Sequence, residues 1–472
     1  MASAVYQIYV LILVTVIIQY KWPQVIASDT HSPLIKFLPG FPGPLPFQFQ
    51  TGYVGVDESE DVQLFYYFVE SERNPREDPL LLWLTGGPGC SSFCGFALGI
   101  GPLYFEEVVY NGTLPTLFMN PNRWTKVASV IFLDFPVGTG FSYGRTPFAS
   151  GSTDDQACSQ AAQFLRKWFV SHPEFLSNPF YVAGDSYAGM FIPVITQIIS
   201  NGNQAGLKPA INLKGYIAGN PATFPAQLNF TIPFSHGMGL ISDELFESLR
   251  RSCGFDDQKP DPDSAECSLS LEAFEQCTAG LNEHHILWKN CDDGDAQRHL
   301  HRSLSGEKRA VTDIIGETSL LEPGCPVDAI ALTLFKYWFN DMKVQEALHI
   351  RKGTVGTWER CSTDLSFEIL ISDVRPYHAN LSTRGYRSLI YSGDHDPQVP
   401  FLSTQAWIRD LNYSIIDDWR PWILEGQYSG YTRTYSNKMT FATLKGGSHT
   451  PTSNRPAECY AMFERWISEK PL

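Results

Sequence analysis

Positive charge is in short supply in this sequence. Lys and Arg number 35 against 50 Asp and Glu, a formal net charge of −15 over 472 residues. A surface of that sign repels a polyanion, which sets nucleic acid aside as a partner. None of the 10 cysteines forms a Cys-x-x-Cys pair. A zinc site would favour that spacing, so a metal is not expected, and no cofactor is expected either. Internal repeats, low-complexity tracts and shifts in composition are absent, which favours one large domain with an insertion. Hydrophobic residues at 43% and aromatics at 13% exclude a disordered chain.

The apolar run Val10–Ile18 (VLILVTVII) is too short to span a bilayer, and no Lys or Arg precedes it. It suits the apolar region of a signal peptide, with small residues Val25 and Ala27 placed for cleavage. Residues 1–27 are therefore read as a signal peptide and 28–472 as the mature chain, secreted or vacuolar and not membrane-bound. Cysteine usage agrees with that route. Cys253, Cys267, Cys277, Cys291 and Cys325 fall in one polar stretch, where an oxidising compartment would favour disulfides. Glycosylation sequons begin at Asn111, Asn229, Asn380 and Asn412.

Residues 52–70 read as an antiparallel hairpin. Short apolar runs follow at Leu80–Leu84, Val130–Asp134, Phe180–Gly184, Leu213–Gly219, Leu389–Gly393 and Thr440–Leu444. Helical segments such as Ala157–Val170 and Tyr187–Ile199 separate several of them, so an α/β architecture with a mostly parallel sheet is expected. The pattern breaks over about 233–339, a Cys-rich and charged insertion expected to cap the sheet. Within it, residues 292–312 are almost devoid of apolar side chains and read as an exposed, protease-accessible loop. Its His299 and His301 fit a solvated basic loop better than a metal site.

Four short motifs carry chemistry. Gly184-Asp185-Ser186-Tyr187-Ala188-Gly189 follows a strand and precedes a helix, as a nucleophile elbow does, with Ala188 where Gly is usual. Thr85-Gly86-Gly87-Pro88-Gly89-Cys90 also follows a strand. Such a loop can aim a backbone N–H at a developing oxyanion, with the Tyr187 N–H as second donor. A phosphate loop is excluded because no Lys-Ser/Thr follows and Pro88 removes a donor. Ser392-Gly393-Asp394 and Gly446-Gly447-Ser448-His449 complete the set, each after a predicted strand. Ser186, Asp394 and His449 then stand in α/β-hydrolase order, with His449 as base and Asp394 fixing its tautomer.

At these residues the chain resembles the serine carboxypeptidase family over essentially its mature length. The likeness rests on WLTGGPGCSS (83–92), FLDFPVGTGFSY (132–143), AGDSYAG (183–189), IAGNP (217–221), YSGDHD (391–396) and GGSHTP (446–451). It implies an α/β-hydrolase fold, catalysis by Ser186, Asp394 and His449, and an oxyanion hole from Gly87 and Tyr187. It also implies disulfides Cys90–Cys361, Cys253–Cys267 and Cys291–Cys325, leaving Cys94, Cys158, Cys277 and Cys459 unassigned. Some members are cut in the linker and persist as two disulfide-held chains, which would suit residues 292–312.

Thr85, Gly86 and Asp185 are the expected substrate-binding residues, and two of them depart from the peptidase pattern. Peptidases of the family usually carry Asn and Glu where Thr85 and Asp185 stand, and use them to hold the substrate's terminal carboxylate. Asp is one methylene shorter, withdrawing its reach by ~1.5 Å. The Thr85/Asp185 pair resembles instead the plant acyltransferase branch, as do residues 348–361 and the helix around Cys459. The implied reaction moves an acyl group from a 1-O-acyl glucose to an acceptor metabolite. A peptidase acting on C-terminal residues, and a non-catalytic binding glycoprotein, are the alternatives.

Overall fold

The computed structural model describes residues 34–106, 108, 110–254, 264–289 and 327–472, without the side chains of 226–228 and 327–330. The signal-peptide segment, the 292–312 loop, Cys291 and Cys325 lie outside the described residues.

Aromatic and β-branched residues dominate β1 (Phe49–Val56) and β2 (Val62–Val69), which pair antiparallel as the expected hairpin. Then come β3 (Leu80–Leu84), β4 (Ser129–Leu133), β5 (Phe180–Asp185), β6 (Leu213–Gly219) and β7 (Arg387–Gly393). A second hairpin, β8 (Ile415–Leu424) and β9 (Gln427–Tyr435), precedes β10 (Met439–Leu444). The sheet order is β1-β2-β4-β3-β5-β6-β7-β10-β9-β8, with Tyr143–Gly144 pairing beside β2. The six central strands are mutually parallel, and an antiparallel hairpin closes each side. This is the mostly parallel sheet of an α/β-hydrolase fold.

Burial on both faces explains the continuous apolar runs. In β3, Leu80, Leu82 and Leu84 enter one core with helices Asp154–Ser171 and Ala188–Gln204. Leu81 and Trp83 point the other way, into a core with helices Phe93–Ala97, Val327–Phe339 and Pro456–Ile467. Within the insertion, helices Asp243–Cys253 and Ala265–Thr278 share a small core of their own around the Cys253–Cys267 disulfide.

The parallel register decides where function can sit. Leu84 pairs with Gly184, Asp185 with Gly219, Gly219 with Tyr391 and Gly393 with Leu444. The carboxyl ends of β3, β5, β6, β7 and β10 therefore come level along one edge. The loops leaving them hold every motif singled out above, in the crevice where open α/β sheets place ligands.

Candidate active site

The turn after β5 is strained in the way a nucleophile elbow requires. Ser186 has φ of 56°, a left-handed conformation that side-chain-bearing residues adopt only when held. Its N–H donates to Gly219 O at 2.9 Å, and its carbonyl accepts from Gly189 N at 2.9 Å and Ala222 N at 3.0 Å. The flanking glycines are dictated by space. A Cβ on Gly184 would lie 2.1 Å from Leu84 O, and one on Gly189 2.4 Å from Ala222 O. Ala188 is fully buried and fits without a glycine.

The loop after β3 presses on that elbow. A Cβ on Gly86 would meet Tyr187 N at 2.5 Å and Ser186 Cβ at 2.6 Å, so only glycine lets the two segments touch. Gly87, with φ of 116°, turns the chain away. The Cys90–Cys361 disulfide anchors the loop, helped by Ser91 N to Arg360 O at 2.8 Å and Ser362 N to Gly89 O at 2.9 Å. From beneath, the fully buried Asp134 accepts Ser91 Oγ–H at 2.6 Å and Ser92 N–H at 3.2 Å. Burial pushes the Asp134 carboxyl up to about 6 despite these donors.

His449 Nε2 lies 2.8 Å from Ser186 Oγ, and its Nδ1 lies 2.8 Å from Oδ2 of Asp396. Asp394, the residue expected to orient His449, is not the one there. Its Oδ1 accepts from Gly446 N at 2.6 Å and faces His395 Nδ1 at 2.7 Å. The reason is where the strand stops. Asp394 N still donates to Leu444 O at 3.1 Å, continuing the ladder of β7 with β10, so its side chain serves the neighbouring loop. The chain turns inward only afterwards, and Asp396 is fully buried, with Oδ1 accepting Gln398 N at 2.8 Å and Val399 N at 3.1 Å. Asn220, after β6, donates to Asp396 Oδ2 at 2.6 Å. Its side-chain oxygen Oδ1 accepts from Gly393 N at 3.2 Å.

Electrostatics follow the geometry. Burial pulls the His449 pKa down, but the attraction and hydrogen bond of Asp396 outweigh it, with Asp185 and Glu283 adding, and the net shift is upward. Burial raises the Asp396 pKa, yet His449 and the surrounding donors carry it below the ordinary carboxylate value. An imidazole held this way, its Nδ1 proton fixed by a carboxylate, is built to take a proton from Ser186 Oγ.

Thr85 and Asp185 lie one step beyond the Leu84–Gly184 pair, side by side at the strand ends. Thr85 Oγ1 accepts from Trp83 Nε1 at 3.3 Å, and Thr85 N donates to Ser92 Oγ at 3.1 Å. Asp185 is 6% exposed, and its Oδ1 has no hydrogen-bond partner among the described residues. Burial raises its carboxyl to about 6, against the pull of His449 and of the Gly86 N–H.

Asp396 and Asn220 were missed as site residues, although both lie in quoted motifs. Asp396 sits two residues past Asp394, and Asn220 is the Asn of IAGNP. The insertion also reaches the site. His449 N donates to His284 O at 2.8 Å, and Ile286 N to His395 O at 3.2 Å. Of the expected disulfides, Cys90–Cys361 and Cys253–Cys267 are formed. The four sequon asparagines are all exposed.

Comparison with known proteins gives the family and the fold. A family model described as serine carboxypeptidase matches residues 39–469. Serine carboxypeptidase-like 19 of Arabidopsis thaliana is 52% identical over 444 residues, covering 93% of this chain and 95% of its own. Serine carboxypeptidase-like 11 of the same plant is 50% identical over 440 residues, with 93% and 95% covered. Among solved structures, Kex1(Δ)p, a prohormone-processing carboxypeptidase from Saccharomyces cerevisiae, superposes with a TM-score of 0.68 at 19% identity. That superposition covers 90% of this chain and 92% of the other.

Proposed function

Since the chain belongs to the serine carboxypeptidase family, we propose that it is an acyltransferase. It takes an acyl group from a 1-O-acyl glucose on to Ser186 and passes it to a hydroxyl- or amine-bearing metabolite. His449 removes the Ser186 proton as Oγ attacks the ester carbonyl, and the backbone N–H groups of Gly87 and Tyr187 receive the oxyanion. Collapse breaks the ester bond, and the departing glucose oxygen takes the proton from His449. The acceptor then gives its proton to His449 while attacking the acyl carbon. Ser186 leaves and is reprotonated.

Asp185 carries this reading. Its carboxyl is short, buried and, among the described residues, unpartnered at Oδ1. Raised to about 6, it is largely neutral in mildly acidic surroundings and can donate to an uncharged ester or sugar oxygen. Thr85 beside it cannot supply the amide that Asn would. The same neutral carboxyl could also donate to a peptide's terminal carboxylate at low pH, which is the observation favouring a peptidase. Disulfides and the plant relatives fit a protein of the secretory pathway. A secreted or vacuolar glycoprotein, cut or uncut within residues 292–312, is the proposed form.

The test offers the purified protein a panel of acyl glucoses with candidate acceptors and, separately, a blocked dipeptide. Transfer products are expected. Rapid dipeptide hydrolysis with no transfer would replace this reading by the peptidase one. Thr85→Asn with Asp185→Glu should raise peptide hydrolysis, and failure of Ser186 to label with a fluorophosphonate would favour a binding protein.

A further inference from the structure

Residues 282–289 of the insertion run across the two loops that carry Asp396 and His449. Besides the backbone bonds from His449 N and Ile286 N, His285 Nε2 lies 3.3 Å from Gly446 O, and its ring stacks on His395 with centroids 5.1 Å apart. This strip is thereby fixed to the catalytic loops, which places the side chain before His285 in a definite position. The His284 ring centroid is 5.6 Å from that of His449, tilted by 39°. His449 is 3% exposed, whereas 39% of the His284 side chain is accessible. His284 Nε2 lies 3.6 Å from Glu283 Oε1, and the charges of His449, Arg360 and Asp396 also act on it. Arg360 directly precedes the disulfide that anchors the glycine loop, so His284 lies beside the base and within electrostatic reach of that loop's anchor.

We infer that His284 holds the hydroxyl-bearing group that enters or leaves beside His449, and so sets the preference for an acceptor over water. The inference rests on acyl transfer through Ser186 as proposed above. An oxygen that gives its proton to His449 Nε2 sits within ~3 Å of that nitrogen. A molecule larger than methanol bound there meets the neighbouring His284 imidazole, whose centroid is only 5.6 Å from that of His449. Desolvation, then the charge of His449, pushes the His284 pKa down to about 3. A neutral imidazole offers one donor and one acceptor to an uncharged polyol. Departing glucose and incoming acceptor both exchange a proton with His449, so both use this side, and glucose itself must serve as an acceptor. An acceptor competes with ~55 M water, and a positioning contact is how an enzyme supplies the necessary effective molarity.

The experiment uses p-nitrophenyl acetate as donor with methanol or D-glucose added, measuring acetate, methyl acetate and acetylglucose by NMR. Partition ratios are per turnover and independent of how much variant folds. Expected for His284→Ala is a roughly tenfold fall in the glucose-to-water ratio, with the methanol-to-water ratio unchanged within about twofold. His284→Gln, which keeps a donor and an acceptor, should restore part of the glucose ratio. A His284→Ala enzyme whose glucose ratio stays within twofold of wild type overturns the inference and leaves the transferase reading standing. A wild-type enzyme that acetylates neither alcohol overturns both.

Discussion

Replacing Asp396 by Asn isolates the acid that orients His449. The carboxamide must keep its oxygen toward Gln398 N and Val399 N, which lie 2.8 and 3.1 Å from the present Oδ1. Its NH2 then faces Asn220 Nδ2 and His449 Nδ1, now 2.6 and 2.8 Å from Oδ2. Asn220 cannot turn to help without giving up its bond from Gly393 N. His449 therefore takes the other tautomer, with its proton on Nε2 facing Ser186 Oγ, and can no longer act as base. Loss of the right tautomer lowers kcat by ~10⁴, or about 5.4 kcal/mol of transition-state stabilisation. Asp394→Asn is the control. Its carboxamide oxygen can still accept from Gly446 N, leaving only the contact with His395 weakened, so the fall should stay below about tenfold. Steady-state turnover of p-nitrophenyl acetate per mole of folded protein separates the two. A 10³-fold loss in Asp394→Asn with near-normal Asp396→Asn would refute the assignment.

Three further outcomes are expected. Gly86→Ala drives a Cβ to 2.5 Å from Tyr187 N, where only backbone can give way, so ester turnover should drop at least ~10²-fold with little change in Tm; wild-type turnover would contradict the close approach. His449 must be neutral to act, and its pKa is raised, so kcat/KM for the ester should climb with pH through a midpoint above the ordinary 6.5; a midpoint below it would contradict the pairing with Asp396. Asp185, shifted from 3.8 to about 6, binds more proton folded than unfolded between those values, so its contribution to stability falls as pH rises. His284 and His378, both held at about 3, act in the opposite direction, so the comparison needed is wild type against Asp185→Asn. The variant should gain on wild type by about 2 kcal/mol, roughly 2 °C in Tm, between pH 4 and 7; a constant difference across that range would show that Asp185 is not desolvated.

Elements buried on both sides were legible in the sequence. LLLWL at 80–84 is β3 to the residue, because neither face of that strand tolerates a polar side chain. The hairpin β8–β9 went unread. Its outer strand is largely exposed and its register shifts at Ile415/Asp417, Asp417/Arg420 and Trp422/Ile423, which removes the alternation that marks a strand. At the site, Ser186 and His449 each followed a strand and a glycine turn. The third member did not, because two aspartates flank His395 and the choice between them depends on where the β7 ladder with β10 ends. That is set by Asp394 N bonding to Leu444 O, a contact across 50 residues of chain that no local pattern carries. His284 was illegible for a related reason: it belongs to the insertion and meets His449 only through tertiary folding.

The Cys90–Cys361 bond closes a span of 271 residues that contains both the insertion and residues 292–312. A cut in that loop would put Ser186 on one polypeptide and Asp396 and His449 on the other, with this disulfide joining the two beside the nucleophile. Folding of the uncut chain is unimolecular whatever the state of its thiols. Once cut, unfolded and reduced, the two pieces would have to find each other by diffusion, so recovery would depend on concentration. Processing would thus turn the enzyme into one that can be assembled once in an oxidising compartment and, after it is lost under reduction, is not readily rebuilt.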